Sequence, residues 1–386
     1  MHGALIALTV ACLSLSACGS SHSRSASAST GLALPAPSGA AAIGSVSLHL
    51  VDSTRWDPLA PTRMHRSLMV TLWYPAREST DRVAAYLDRG AARVIDSELD
   101  VPAGTFESAR SHARNEAAFA TGGGHGYPVV IYSPGYGSWR NASTALTEEL
   151  VSHGFVVVTI DHPYDGIAVE FPNRTVVKAS PLEVPANTKV LTFSAWGAMV
   201  KPLLIVRVAD VRFVVDVLTA IDEGRNPDAE RHPLPGHIAG ALDLRRIGMF
   251  GHSLGGATAA QVMRTDKRIR AGLSLDGPIP GAQRTACIEQ PIMLIRSVSP
   301  PIERLTIPSW TTATHSLCGW HLSVSLNGSG HNDFTDLTVF ARQLALGQPQ
   351  RAAWSLGSVD ARKAVAFERT YIVAFFERWL GNRLPQ

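Results

Sequence analysis

Three observations in this 386-residue chain predict an α/β fold, with a mostly parallel central sheet and helices on both faces. Short continuous apolar runs alternate with longer segments whose apolar residues recur at helical spacing. One such run, Arg246-Ile247-Gly248-Met249-Phe250, passes through Gly251-His252-Ser253-Leu254-Gly255 into the small-residue helical stretch Ala257 to Met263. The composition, 45% hydrophobic and 17% charged, suffices for a large buried core.

Val46 to Val51 and Leu68 to Tyr74 read as opening strands, joined by a polar, proline-containing segment. Tyr127 to Tyr132 is a continuous apolar run, as a strand buried on both faces requires. A helix from about Ala142 to His153 precedes the strand Phe155 to Ile160, and a stretch of little regular pattern follows. From about Met199 to Ile221 apolar residues recur at helical spacing, with Arg207, Asp210, Arg212 and Asp216 assigned to the polar side. Strands Ala271 to Leu275, Ile292 to Ile295 and Leu322 to Leu326 come next, and an amphipathic helix from about Ala361 to Leu380 closes the chain.

The first residues differ in kind. Gly3 to Ala17 is an apolar run of signal-peptide length ending Leu15-Ser16-Ala17-Cys18, similar to the lipobox of bacterial lipoproteins, although Met1-His2 supplies no Lys or Arg. Residues 1–18 are expected as a lipoprotein-type signal with Cys18 lipidated, and 19–42 as a Ser/Ala/Gly/Pro-rich tether. That leaves 43–386 as one catalytic domain on an exported, cell-envelope or otherwise secreted protein, held to a membrane through the lipid. In an oxidising compartment Cys287 and Cys318, each a few residues before an apolar strand, form a candidate structural disulfide. A net charge of +3 with scattered Lys and Arg gives no nucleic-acid surface, and Asp266 to Arg270 reads as a solvated turn. No cofactor or metal is expected. Gly122-Gly123-Gly124-His125-Gly126 precedes its strand instead of following it, and Asp161-His162-Pro163 lacks a ligand partner set.

A glycine-framed serine between strand and helix is a nucleophile elbow, a tight turn that lifts the hydroxyl above the sheet. A serine nucleophile needs a histidine base, and the base needs an acid to fix its tautomer. Both should follow strands, because ligands bind at the carboxyl ends of strands in such sheets. Asp276 ends the strand after the elbow helix, and His331 follows the last strand in Gly328-Ser329-Gly330-His331. Glu303 is the rival acid, in a proline-rich setting. The amides of Leu254, just after the serine, and Tyr136, in Ser133-Pro134-Gly135-Tyr136-Gly137, are the candidate oxyanion donors.

These residues carry a resemblance to a family. The elbow Gly-His-Ser-Leu-Gly-Gly-Ala-Thr, Leu72-Trp73-Tyr74-Pro75-Ala76 and Tyr132 to Gly137 resemble the plasma, form II type platelet-activating-factor acetylhydrolases. So do Asp276, and His331 with Phe334 and Asp336; Arg207 to Val214 and Phe375 to Leu380 are similar to its bacterial members. The resemblance runs from about residue 45 onward, with Ser-Pro-Gly where the animal enzymes have Ser-His-Gly. It implies an α/β-hydrolase fold and a calcium-independent esterase using Ser253, Asp276 and His331, with the Tyr136 and Leu254 amides as donors. The expected reaction is hydrolysis of a short-acyl or lipid ester through an acyl-enzyme. The alternatives are a secreted polyester or cutin-type hydrolase, a broad carboxylesterase, and a lipoprotein that binds lipid without turnover. A deep pocket roofed by residues 166–198 would favour small lipids, and an open cleft polymers.

Overall fold

A computed structural model describes residues 31–121, 126–181, 192–279, 287–298 and 300–381. The signal with Cys18, the first part of the tether and Gly122 to His125 lie outside the described residues. Among the described residues twelve strands occur in chain order: β1 (Ala42–Trp56), β2 (His65–Ala76), β3 (Val83–Ala85), β4 (Arg110–Asn115), β5 (Tyr127–Ser133) and β6 (Val156–Asp161). Then come β7 (Val169–Glu170), β8 (Val176–Val177), β9 (Leu242–His252), β10 (Ile269–Leu275), β11 (Ile292–Ser297) and β12 (His321–Leu326). The helices are α1 (Arg89–Glu98), α2 (Thr144–Ser152), α3 (Phe193–Asp222), α4 (Leu254–Thr265), α5 (Pro300–Ala313), α6 (Leu337–Gln343), α7 (Gln348–Ala353) and α8 (Ala361–Leu380).

Ten strands make one sheet in the order β12-β11-β10-β9-β5-β6-β2-β1-β4-β3, while β7 and β8 form a small hairpin. From β12 to β6 all pairings are parallel, and β2 turns the sheet antiparallel. Alternation of side chains along each strand feeds two cores. Val129, Ile131, Val156, Val158 and Met249 point to the face covered by α3 and α4. Val130, Tyr132, Val157, Phe250 and Leu273 point to the face covered by α2 and α8. Burial on both faces is why these strands read as continuous apolar runs.

From β5 the chain moves outward to β6, and from β9 it moves the other way to β12. The connections therefore part between β5 and β9, and a crevice opens at the carboxyl ends of such a pair. Ser133 pairs with Gly251 at that point, so the Ser133–Gly137 loop and the elbow leave the sheet side by side.

Three features depart from the sequence reading. Helix α3 starts at Phe193, before Met199, with the Thr192 side chain accepting from the Ala195 amide. Arg207 and Asp210 are wholly buried, whereas Arg212 and Asp216 are exposed. Periodicity finds charged positions on a helix but not the buried partners waiting for them. Finally, residues 31–41, expected as tether, pack on the body. Leu32 and Leu34 enter a core with Tyr86, Ile95 and Trp139, and Gln343 exchanges two hydrogen bonds with Ala33. Cys287 and Cys318 are disulfide-bonded, with Cα atoms 5.9 Å apart, ahead of β11 and β12.

Candidate active site

Ser253 sits at φ 54°, ψ −119°, between the last residue of β9 and the first of α4. Such a backbone costs about 1–3 kcal/mol for a non-glycine residue and persists only where its surroundings impose it. The surroundings do: the Ser253 amide donates to Leu275 O at 2.8 Å. A Cβ on Gly251 would lie 2.2 Å from the Gly255 carbonyl carbon, and one on Gly255 would lie 1.9 Å from Ser133 O. Only glycine permits that crossing of strand and helix. Leu254 opens α4, so its N–H belongs to the first turn, which has no intrahelical acceptor and carries the positive end of the helix dipole.

Asp276, also at positive φ, leaves β10 fully buried and gathers three hydrogen bonds. His331 Nδ1 lies 2.7 Å from its Oδ2, Ser297 Oγ donates to the same oxygen at 2.7 Å, and Ser297 N donates to Oδ1 at 2.8 Å. With Nδ1–H given to the carboxylate, His331 keeps Nε2 as its acceptor. His331 is held in place from below by Asp333, whose carboxylate accepts from the Gly330 and Gly357 amides and the Thr338 hydroxyl. Glu303 takes no part: it pairs with Arg296 at 2.5 Å. His252, next to the serine, donates from Nε2 to the His331 carbonyl at 2.9 Å. Burial, and then the neighbouring His331, hold its pKa well below the ordinary value, so it is a neutral prop.

A second polar assembly lies under the Ser133–Gly137 loop. Ser133 Oγ is 3.0 Å from His162 Nε2, and His162 Nδ1 is 2.9 Å from Asp210 Oδ2. Asp210 also accepts from Arg66 at 3.1 and 2.8 Å. Arg207 is bound by Asp165 at 2.6 and 2.5 Å and donates to Pro134 O and Gly135 O. All of these side chains are buried. Burial first, then the Arg207 charge, lower the His162 pKa below its ordinary value. Burial opposes ionisation of Asp210, but Arg66 and His162 outweigh it and keep the carboxyl far below the usual range.

Ser253, Leu254, His252, His331 and Tyr136 line one cavity of about 330 Å³. Its other walls are mainly apolar, from Leu99, Trp139, Ile167, Trp196, Met199 and Leu337, with Lys178 paired to Glu98 at 3.2 Å on its lining. Ile167, Lys178, Ala179, Pro181 and Trp196 come from the segment expected as a roof, of which 182–191 lies outside the described residues. Among the described residues the one group with metal-binding spacing, Asp228, Glu230 and His232, contributes nothing to this lining. Ser297, His252 and the Arg207 assembly escaped the sequence reading. For Ser297 the available signal was a small polar residue ending the strand beside β10.

A family model described as platelet-activating factor acetylhydrolase, isoform II, matches residues 59–383. The platelet-activating factor acetylhydrolase of Bos taurus is 27% identical over 334 residues, covering 81% of this chain and 68% of its own. A probable 1-alkyl-2-acetylglycerophosphocholine esterase of Arthroderma benhamiae is 26% identical over 267 residues, 66% of this chain and 61% of that one. Among solved structures, a ferulic acid esterase from Streptomyces cinnamoneus superposes with a TM-score of 0.74 at 31% identity, covering 92% of this chain and 95% of that chain. Since the family match takes in nearly all of the sheet and every residue of the cavity described above, the chain belongs to the platelet-activating factor acetylhydrolase isoform II family and is a carboxylic ester hydrolase of the α/β-hydrolase fold.

Proposed function

We propose that Ser253 is the nucleophile, His331 the base and Asp276 the acid of a short-acyl ester hydrolase. His331 Nε2 takes the Ser253 proton as Oγ attacks the ester carbonyl. The oxyanion rests on the Leu254 and Tyr136 amides, His331 protonates the leaving alcohol, and water repeats the sequence on the acyl-enzyme. The observation that carries this reading is the His331 Nδ1–Asp276 hydrogen bond of 2.7 Å beside a cavity that both His331 and Ser253 line. Among the described residues the Asp276 carboxylate is otherwise hydrogen-bonded only to the neutral Ser297, so its charge is available to the imidazolium that forms.

A volume of about 330 Å³ is small for a ligand pocket and suits a truncated acyl chain better than a long one. Together with the acetylhydrolase and 1-alkyl-2-acetylglycerophosphocholine esterase relatives, this favours the 2-acetyl ester of an ether phospholipid. The Trp139 and Trp196 rings in the lining and the ferulic acid esterase neighbour support a second reading, a hydroxycinnamoyl ester. Export, resting on the apolar run Gly3 to Ala17, and lipidation at Cys18, resting on Leu15-Ser16-Ala17-Cys18, remain part of the proposal. The test is hydrolysis of p-nitrophenyl esters from acetyl to palmitoyl, of a 2-acetyl ether phospholipid and of methyl ferulate, with Ser253→Ala as blank. Serine-dependent turnover that collapses beyond short chains is expected. Preference for methyl ferulate would move the assignment to the second reading.

A further inference from the structure

We infer that Arg207, clamped by Asp165, is a positioning residue for oxyanion stabilisation: it fixes and polarises the Gly135–Tyr136 peptide so that the Tyr136 N–H is presented to the reacting oxygen. The inference rests on the proposed esterase reading, and goes past it by assigning a task to a buried ion pair outside the triad.

The argument begins with the peptide unit. The Gly135 carbonyl and the Tyr136 N–H belong to one planar group, and among the described residues no peptide bond is cis. In a trans peptide these two dipoles point in opposite directions. Whatever grips the carbonyl from one side therefore aims the N–H to the other. Arg207 Nη2 donates to Gly135 O at 3.1 Å and Nη1 donates to Pro134 O at 2.5 Å, both from the buried side of the loop. Gly135 and Tyr136 line the cavity, and a Cβ on Gly135 would stand 3.3 Å from Ser253 Cβ. The gripped peptide thus lies against the nucleophile.

Arg207 is itself immobilised. The Asp165 carboxylate accepts from Nε and Nη2, and the Asp165 carbonyl accepts the Gly137 amide at 2.9 Å. Asp165 consequently secures the loop on both sides of Tyr136, through Arg207 before it and directly after it. A guanidinium matches this task by geometry, since its rigid fork serves two carbonyls and a carboxylate at once, which an ammonium on a flexible stem cannot. A cation on a carbonyl oxygen also draws charge through the amide and strengthens its N–H as a donor.

The test compares Arg207→Lys, which keeps the charge without the fork, with Arg207→Met/Asp165→Asn, which removes both charges so that neither is stranded. Turnover of p-nitrophenyl acetate is read per titrated active site, so only folded enzyme counts, together with the Ki of an acyl trifluoromethyl ketone, whose hemiketal oxygen mimics the oxyanion. Losing one oxyanion donor outright costs about 10²–10³ in kcat. For a misaimed donor we expect kcat to fall about 10- to 100-fold with KM within threefold, and the ketone Ki to weaken by the same factor as kcat/KM. Variants whose kcat and Ki stay within twofold of wild type, whatever their melting temperature, would overturn the inference and leave the esterase reading standing. A wild-type enzyme without Ser253-dependent turnover would overturn both.

Discussion

The described residues hold two Ser–His–Asp sets, one at the cavity and one sealed beneath it, and they differ in what surrounds the aspartate. In the sealed set, Ser133, His162 and Asp210 are hydrogen-bonded in line, with separations of 3.0 and 2.9 Å. Yet Asp210 spends its charge on Arg66 and Arg55, and Arg207 donates to Ser133 Oγ at 3.3 Å. A histidine there has a neutralised counter-ion on one side and a cation on the other, so the imidazolium that would form on taking the Ser133 proton is disfavoured. In the cavity set, the Asp276 carboxylate receives, among the described residues, only His331 and the neutral Ser297. Backbone completes the contrast: Ser133 ends a regular strand and is wholly buried, whereas Ser253 is raised by a positive-φ turn into a cavity. Residue identity and hydrogen bonding are not enough to make a nucleophile. Access and an uncommitted carboxylate decide.

The largest effect should separate the two serines. Ser253→Ala is expected to lower kcat by about 10⁵–10⁶, because a triad fails as a unit. Ser133→Ala should stay within tenfold and instead cost about 1–3 kcal/mol of stability, for the buried His162 Nε2 it strands. Labelling with a fluorophosphonate followed by peptide mapping should find Ser253 modified and Ser133 untouched; adduct on Ser133 would dissolve the contrast.

The aspartates come next. Asp276→Asn should cost about 10⁴ in kcat with the fold intact, by disturbing the His331 tautomer, while Glu303→Gln should remain within threefold of wild type. Asp210→Asn should act through stability, by about 3–5 kcal/mol, because it breaks a buried pair with Arg66. Steady-state kinetics beside urea unfolding checks all three. A large rate loss in Asp210→Asn with unchanged stability would mean that the sealed set takes part in chemistry.

The sequence made one of these sets readable and concealed the other. Ser253, Asp276 and His331 each follow an apolar strand, and the carboxyl ends of parallel strands are where sites form, so order along the chain sufficed. The parallel strands were legible for the same reason, being apolar on both faces. Strand β4, Arg-Ser-His-Ala-Arg-Asn between β1 and the three-residue edge strand β3, was not, because its alternate residues are exposed and polar and so make no continuous apolar run. Arg207 and Asp210 fall on the polar side of the helical period, which does not show that they are buried: their partners Asp165 and Arg66 lie 42 and 144 residues away, and no local pattern announces a distant ion pair. Leu32 and Leu34 were lost among Ser, Ala, Gly and Pro, where two apolar residues do not register as a packing motif.

The smallest effect is a slope in stability with pH. Burial lowers the pKa of both His162 and His252, and unfolding returns each to about 6.5. Their neutral forms are favoured only in the fold, so the stability that goes with them is present above about pH 6.5 and is lost as pH falls below it, by up to about 1.4 kcal/mol per pH unit for each histidine. Asp336 runs the other way. Burial pushes it up to about 8, against donors from Thr144, Ala145 and Tyr86, so its share is lost as pH rises from the ordinary carboxylate range toward that value. The wild-type profile mixes these slopes, and the variants separate them. Urea midpoints between pH 5 and 8 should fall less steeply toward acid in His162→Gln and in His252→Gln than in wild type, and Asp336→Asn should flatten the alkaline side. If His162→Gln kept the full acid slope, the sealed histidine would already be charged in the fold, and Asp210 would be less committed to Arg66 than the contrast with Asp276 requires.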